Sequence, residues 1–326
     1  MKAIIYDKNS SGGGLKLEEI EKPVPADNQV LVKVRAASVN PLDYHLLKHP
    51  LLRRVIARAT KGKIMRPGRD VAGEVEAVGR SVTQFKRGDE VFGACDGAFA
   101  EYACVPESAL ARKPVNVSFE QAAAVPVAGL TALQGLRDKA QIQPGQKVLI
   151  NGAAGGIGTF AVQFAKAFGA EVTGVCSTRN LKMVQSIGAD TVIDYTREDF
   201  TSSGQHYDVI FDNVSNHSFS DYKRALTPNG VYIGAGALAL HGSMFGMLAS
   251  RITELVMSPF VSQKFTSFIA RLNQNDLIAI GVLMAQGTVT PVIDRHYRLS
   301  EVPEALHYLE QGHARGKVII EFDTCC

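Results

Sequence analysis

The segment Lys147-Val-Leu-Ile-Asn-Gly-Ala-Ala-Gly-Gly-Ile-Gly158 constrains the fold more than any other stretch of the chain. A β-branched run leads into a glycine-rich turn, and the turn opens the helical pattern Thr159-Phe-Ala-Val-Gln-Phe-Ala-Lys166. Strand, glycine turn and helix in that order let backbone approach a pyrophosphate closely, with the free N–H groups and partial positive charge of the helix N-terminus facing it. Gly155 and Gly158 fill the second and third positions of G-x-G-x-x-G, while Ala153 stands at the first. No Gly-Lys-Ser or Gly-Lys-Thr follows, which excludes a P-loop. Ala154, Gly155, Gly156 and Ile157 are the expected contacts of a bound dinucleotide.

Around this turn the pattern alternates. Lys147 to Asn151, Glu171 to Cys176, Thr191 to Asp194, Asp208 to Asp212 and Gly230 to Ala235 read as buried strands. Gly156 to Phe168, Asn180 to Ile187 and His217 to Leu226 read as helices. Such alternation implies crossover connections, and therefore a doubly wound parallel sheet with helices on both faces. The first 120 residues differ: runs such as Val30-Leu-Val-Lys-Val34, Glu74-Val-Glu-Ala-Val78 and Glu101-Tyr-Ala-Cys-Val105 predict mainly antiparallel β. After Pro291 the pattern returns to strand and loop and ends in Gly316-Lys-Val-Ile-Ile-Glu321, as if the last stretch rejoined the first domain. A length of 326 residues accommodates two domains with sizeable cores. The chain is α/β, with a β-rich domain beside a parallel-sheet domain.

The second strand of the alternating unit identifies the dinucleotide. A site for NAD places Asp or Glu at its end, about 20 residues past the turn, to accept from the ribose 2′-OH. Here the strand ends Gly174-Val-Cys-Ser-Thr-Arg-Asn180, without an acid. Ser177 and Thr178 can donate to a phosphate, Arg179 offers a charged fork, and Asn180 and Lys182 lie close by in sequence. NADPH is therefore the expected cofactor, rather than NADH.

Composition excludes other classes. Thirty-five Lys and Arg against 32 Asp and Glu leave a formal charge of +3, too near balance for the field that holds a protein to nucleic acid or an anionic membrane. No nucleic-acid partner is expected. The five cysteines, Cys95, Cys104, Cys176, Cys325 and Cys326, are an odd number without a tight disulfide framework. With Met1 leading straight into Lys2-Ala-Ile-Ile-Tyr6 and no signal-peptide pattern, they predict a cytoplasmic protein, monomeric or homodimeric. Eight basic residues and no acidic ones fall between Lys48 and Arg69, with apolar residues at helical spacing in Leu51 to Ala59. This segment reads as a helix packed on its own domain rather than as a peripheral membrane anchor.

Several stretches together carry a resemblance: Ala37-Ser-Val-Asn-Pro-Leu-Asp43, Gly68-Arg-Asp-Val-Ala-Gly-Glu-Val75, Val125-Pro-Val-Ala-Gly-Leu-Thr-Ala132, the glycine turn itself and Gly316-Lys-Val-Ile-Ile320. With these the chain resembles the medium-chain dehydrogenase/reductase superfamily in its zinc-free quinone oxidoreductase branch. Cys176-Ser-Thr-Arg-Asn180, Ser186-Ile-Gly-Ala-Asp190 and Gly312-His-Ala-Arg-Gly-Lys317 look most similar to chloroplast-envelope quinone oxidoreductase-like and enone reductases. The resemblance implies a GroES-like catalytic domain of residues 1–122 and 271–326 around a Rossmann NADP-binding domain of residues 123–270. Where zinc-dependent relatives carry a first Cys and a His-Glu pair, this chain has Asn40, Arg69 and Asp70, and no Cys lies between Gln121 and Gly135 for the third ligand. An amide and a guanidinium cannot replace thiolate and imidazole, so no metal is expected.

Without a Lewis acid, oxidation of an unactivated alcohol lacks the means to form an alkoxide near neutral pH. A quinone or an α,β-unsaturated carbonyl makes lighter demands, because hydride delivered to it sends charge onto an oxygen that a few hydrogen-bond donors can stabilise. The expected activity is NADPH-dependent, zinc-independent hydride transfer to a small quinone or enone. The alternatives are reduction of simple carbonyls and non-catalytic NADPH binding. The resemblance places the loop from Asn40 to His45 beside nicotinamide and substrate, with Tyr44 and His45 facing the substrate. Thr131, read as opening the helix that leads into the Rossmann unit, and Lys317 are implied cofactor contacts in the same way. Tyr195 beyond the third strand, Asn213 and Val214 closing the fourth, and Gly234 to Gly236, with Ala235 between them, closing the fifth complete the set, since ligands gather at the carboxyl ends of a parallel sheet.

Overall fold

The computed structural model describes residues 1–6, 14–43, 66–235 and 262–322. The β-branched runs become strands, in chain order β1 (Lys2–Tyr6), β2 (Leu15–Glu19), β3 (Gln29–Val39), β4 (Asp70–Val78), β5 (Glu90–Ala94), β6 (Tyr102–Pro106) and β7 (Leu110–Arg112). The alternating region gives β8 (Lys147–Asn151), β9 (Glu171–Cys176), β10 (Thr191–Asp194), β11 (Tyr207–Asp212), β12 (Leu226–Ala235) and β13 (Lys264–Phe268). The chain closes with β14 (Ile293–Arg298) and β15 (Lys317–Glu321). Two compact units result, Met1–Val127 with Leu272–Cys326, and Ala128–Arg271.

In the first unit one sheet runs in the order β14-β15-β3-β4-β5-β7, with β6 also pairing β3. The pairs of β3 with β4, β6 and β15 are antiparallel. Alternation along the strands turns Val30, Val32, Val34, Val71, Val75 and Ile320 into one core with Phe99 and Leu110. Helix α1 (Phe119–Ala123) starts at a capping box in which Ser118 and Gln121 satisfy each other's backbone N–H groups. It packs on β3, β4 and β5, so the division between the units falls at 127/128 rather than 122/123.

The second unit is a six-stranded sheet in the order β10-β9-β8-β11-β12-β13, every neighbouring pair parallel. This is the Rossmann arrangement. The crossover helices are α3 (Gly156–Ala167), α4 (Leu181–Ser186) and α5 (Phe219–Ala225), entered after α2 (Pro126–Gln134). Each strand and helix expected in this unit forms, and β13 adds a sixth strand that the sequence reading does not contain. Thr131 does not open a helix: it is buried past the middle of α2, which begins at Pro126, a residue suited to the first helical turn.

Two further helices, α6 (Gln274–Ala285) and α7 (Val302–Glu310), belong to the first unit. The second corrects the strand-and-loop reading after Pro291. Val302, Ala305 and Leu306 are buried at helical spacing, and a proline sits in the first turn, where it costs no hydrogen bond. Among the described residues no helix is long and apolar enough to cross a membrane. Tyr44, His45, Gly236, most of the basic segment and Cys325-Cys326 lie outside the described residues.

Candidate functional site

The glycine turn begins where β8 ends. Gly152 takes φ +80°, and a Cβ on it would lie 2.8 Å from Val214 Cγ2. Gly152 thus makes the tight turn one residue ahead of Ala153, which explains why an alanine is tolerated at the formal first position. A Cβ on Gly158 would lie 2.1 Å from the Gly152 carbonyl oxygen, so this glycine lets helix pack on strand. Gly155 differs: a Cβ there would meet only that carbonyl, at an ordinary 3.5 Å. Nothing among the described residues demands glycine at 155, which fits a position kept bare for a group approaching the backbone. Gly155 is also the N-cap of α3, and no side chain caps the helix. The first N–H groups of α3 therefore remain available to an anion.

At the end of β9 the structure gathers the residues expected around an adenosine phosphate, and adds one. Ser177 is half-buried, Thr178 and Arg179 are exposed on a single 3-10 turn, and Lys182 is exposed on the first turn of α4. Tyr195 is 60% exposed, and its N–H donates to the Cys176 carbonyl at 3.1 Å, which holds it beside this segment. Asn180 is buried with its Nδ2 on Ser177 Oγ at 3.2 Å, while its Oδ1 has no partner among the described residues. The segment itself lacks an acid, but the neighbouring strand supplies one. Asp194 Oδ2 accepts from the Thr178 hydroxyl at 2.5 Å, and Oδ1 accepts from the hydroxyl and N–H of Thr196 at 2.7 and 3.0 Å. The Thr178 hydroxyl is therefore committed inward, contrary to the expectation that it donates to a phosphate. That hydroxyl, and then Thr196, hold the Asp194 carboxyl below the usual range. Parallel pairing brings Asp194 opposite Cys176, a proximity that sequence separation conceals.

The other strand ends converge as fold logic requires. Asn213 donates its Nδ2 to the Asn151 carbonyl at 3.2 Å and leaves its Oδ1 buried without a partner among the described residues. Val214 is 44% exposed beside the turn. At the end of β12 the space left by Gly234 is filled by Ser267 Oγ, and Ala235 is buried. Two orphaned polar atoms, a bare Gly155 and an uncapped helix suit a polar dinucleotide.

The first unit holds a different cluster. Lys317 is 3% exposed, and its Nζ donates to Asn40 Oδ1 at 2.7 Å, Asp70 Oδ2 at 3.1 Å and the Val39 carbonyl at 3.5 Å. Asp70 Oδ2 also accepts from Ser38 Oγ at 2.6 Å and Asn40 Nδ2 at 3.0 Å, and its Oδ1 accepts from the Val127 N–H at 2.9 Å. Asn40 and Lys317, expected beside the cofactor, thus have their polar atoms taken up inside the unit, because a buried ammonium and carboxylate must be paired and hydrogen-bonded. Asp43 completes the group by accepting from the Asn40 N–H at 2.8 Å. Burial pushes its carboxyl up to about 7, the charge of Asp70 adds to the rise, and the Asn40 N–H, Lys317 and Arg69 oppose it.

The donor chemistry at these positions does not fit zinc. Asn40 and Asp70 already bind an ammonium, and a divalent ion would face that buried positive charge. Arg69 pairs instead with Asp96 at 3.3 Å. Burial pushes the thiols of Cys95, Cys104 and Cys176 up, so none of the three is an activated nucleophile.

Known proteins match along nearly the whole chain. The family model described as zinc-binding dehydrogenase matches residues 187–320, and that of the alcohol dehydrogenase GroES-like domain matches residues 26–115. A chloroplast envelope quinone oxidoreductase homolog of Arabidopsis thaliana is 34% identical over 340 residues, covering 98% of each chain. An NADPH-dependent alkenal/one oxidoreductase of the same plant, chloroplastic, is 34% identical over 339 residues, covering 98% of this chain and 79% of that protein. The structure of the quinone oxidoreductase from Coxiella burnetii superposes with a TM-score of 0.84 at 30% identity, covering 98% of this chain and 99% of that one.

Proposed function

The chain belongs to the quinone oxidoreductase branch of the medium-chain dehydrogenase/reductase superfamily and is an oxidoreductase, and on that premise we propose that it reduces quinones or α,β-unsaturated carbonyls with NADPH, without zinc. The observation that carries the metal-free part is the Lys317 ammonium bound between Asn40 and Asp70, in positions that would have to supply metal ligands. Bound NADPH supplies the hydride, and the chain supplies binding, orientation and a resting place for charge. Gly155 and the N–H groups opening α3 receive the pyrophosphate. Arg179 and Ser177 receive the 2′-phosphate, with Tyr195 alongside. The negative charge of Asp194 is occupied by Thr178 and Thr196, and Arg197 stands 3.7 Å from it. The phenol of Tyr44, in the stretch that the family resemblance assigns to the substrate, is the proposed donor to the oxygen that gains charge.

Three substrates separate this reading from its rivals: a conjugated enone, its saturated analogue and a benzoquinone, each with NADPH and with NADH. Turnover of the enone or the quinone, with little of the saturated ketone, is expected. Turnover of the saturated ketone at a similar rate marks a simple carbonyl reductase, and tight NADPH binding without oxidation marks a binding protein. Arg179→Ala is expected to raise KM for NADPH about tenfold, the order of one charge-assisted contact, and to change NADH use little. Equal losses with both coenzymes would count against the 2′-phosphate assignment.

A further inference from the structure

The order of the Rossmann sheet reverses between β8 and β11, and at that seam lies Asp212, which is fully buried. Among the described residues four neutral donors reach its carboxylate within 3.0 Å, and the Tyr222 phenol also faces it. Oδ1 accepts from Asn151 Nδ2 at 2.9 Å and from the backbone N–H groups of Val214 at 2.9 Å and Ser215 at 3.0 Å. Oδ2 accepts from the Tyr232 hydroxyl at 2.8 Å. Ser215 has φ +59°, a left-handed conformation that a non-glycine residue keeps only when its surroundings hold it there. Val214, fixed by the same carboxylate oxygen, is the residue that abuts Gly152 in the glycine turn. Asn213, between them, carries one of the two orphaned amide oxygens. A buried carboxylate spent on two successive backbone N–H groups buys no compact packing that an apolar side chain could not provide. It buys a defined loop.

We propose that Asp212 is a positioning residue of the dinucleotide site: it holds the loop Asn213–Ser215 against the glycine turn, so that Val214 and the Asn213 amide stand ready to receive the nucleotide. This rests on the reading of the second unit as an NADPH site. Asp212 does not touch the cofactor in this assignment. It acts through the loop, as outer groups that orient binding residues do.

The test compares NADPH dissociation constants, from fluorescence titration well below each protein's Tm, for wild type, Asp212→Ala and Asp212→Asn. The alanine variant is expected to bind NADPH about tenfold more weakly, with kcat at saturating NADPH within about twofold of wild type. The asparagine variant keeps an acceptor for the two loop N–H groups and is expected to recover binding to within about threefold. Hydrogen exchange on the wild type, which needs no variant to fold, is expected to show the Val214 and Ser215 amides slowing further when NADPH is added. An alanine variant with lowered Tm but unchanged affinity would reduce Asp212 to a structural role and overturn the proposal, as would exchange at those amides indifferent to NADPH. A wild type that binds no NADPH would instead overturn the nucleotide reading together with this one.

Discussion

Two buried polar sets, the Lys317 cluster of the first unit and the asparagine side chains at the strand ends of the second, are built in opposite ways. In the first, Ser38, Asn40, Asp70 and Lys317 close on one another, and among the described residues the Lys317 ammonium donates to the Val39 carbonyl, Asn40 and Asp70, all acceptors of the same unit. In the second, among the described residues the strand ends leave Asn180 Oδ1 and Asn213 Oδ1 without partners, and a Cβ at Gly155 would meet only the Gly152 carbonyl at an ordinary 3.5 Å. Native interiors satisfy their polar groups, so a closed set reads as architecture and an open set as a place awaiting a ligand. Polarity alone therefore does not mark a site; unfinished polarity does.

The comparison can be broken most directly at Lys317. Lys317→Met leaves the Asp70 carboxylate buried without its cation, and a loss of about 3–5 kcal/mol in chemical denaturation is expected. A loss below 1 kcal/mol would mean that the cluster is not closed in the sense argued. Asp43 sharpens the same point through pH. Its carboxyl rises from an ordinary 3.8 to about 7, so the folded protein holds this proton more tightly than the unfolded chain does. The stability it contributes is complete below pH 4 and drains away as pH climbs through 7, by up to about 1.4 kcal/mol per pH unit. Asp43→Asn is expected to flatten that decline between about pH 4 and pH 7, and an unaltered slope there would place the titration elsewhere. The smallest effects separate the glycines. Gly158→Ala must push against the Gly152 carbonyl and is expected to cost about 1–3 kcal/mol. Gly155→Ala is expected to leave Tm within about 2 °C while weakening NADPH, because its methyl occupies space that only a ligand contests.

The Rossmann half was legible because its signals are local. A glycine turn between a β-branched run and an apolar helix, repeated strand-helix units and β-branched enrichment fix the elements without knowledge of partners. What failed to show were relations between distant residues. Asp194 reaches Thr178 only because β10 pairs with β9, so a search of one strand end for a carboxylate could not find it. Lys317 could be placed in a strand by pattern, but its burial against Asn40 follows from the β15–β3 pairing. The α7 helix was missed although its buried face has helical spacing, because nine residues between two strands give a short window. Asp212 lay next to two residues assigned to the cofactor, and the hint was available: a lone acid followed by Asn and Val at a strand end, where its carboxylate can turn back onto the loop.

The β15–β3 pairing also orders events during synthesis. Val39 leaves the ribosome 278 residues before Lys317, a delay on the order of tens of seconds at ~5–20 residues per second. Until the final strand emerges, Asp70 has no cation to accompany it out of water, and the strands made first must wait, half-assembled and solvated. The middle of the chain carries a contiguous sheet whose six strands all lie between residues 147 and 268. The parallel-sheet half is thus synthesised before β15 is available to the other, and nascent chains stalled after β13 has emerged but before β15 has are expected to hold the molecule in that divided state.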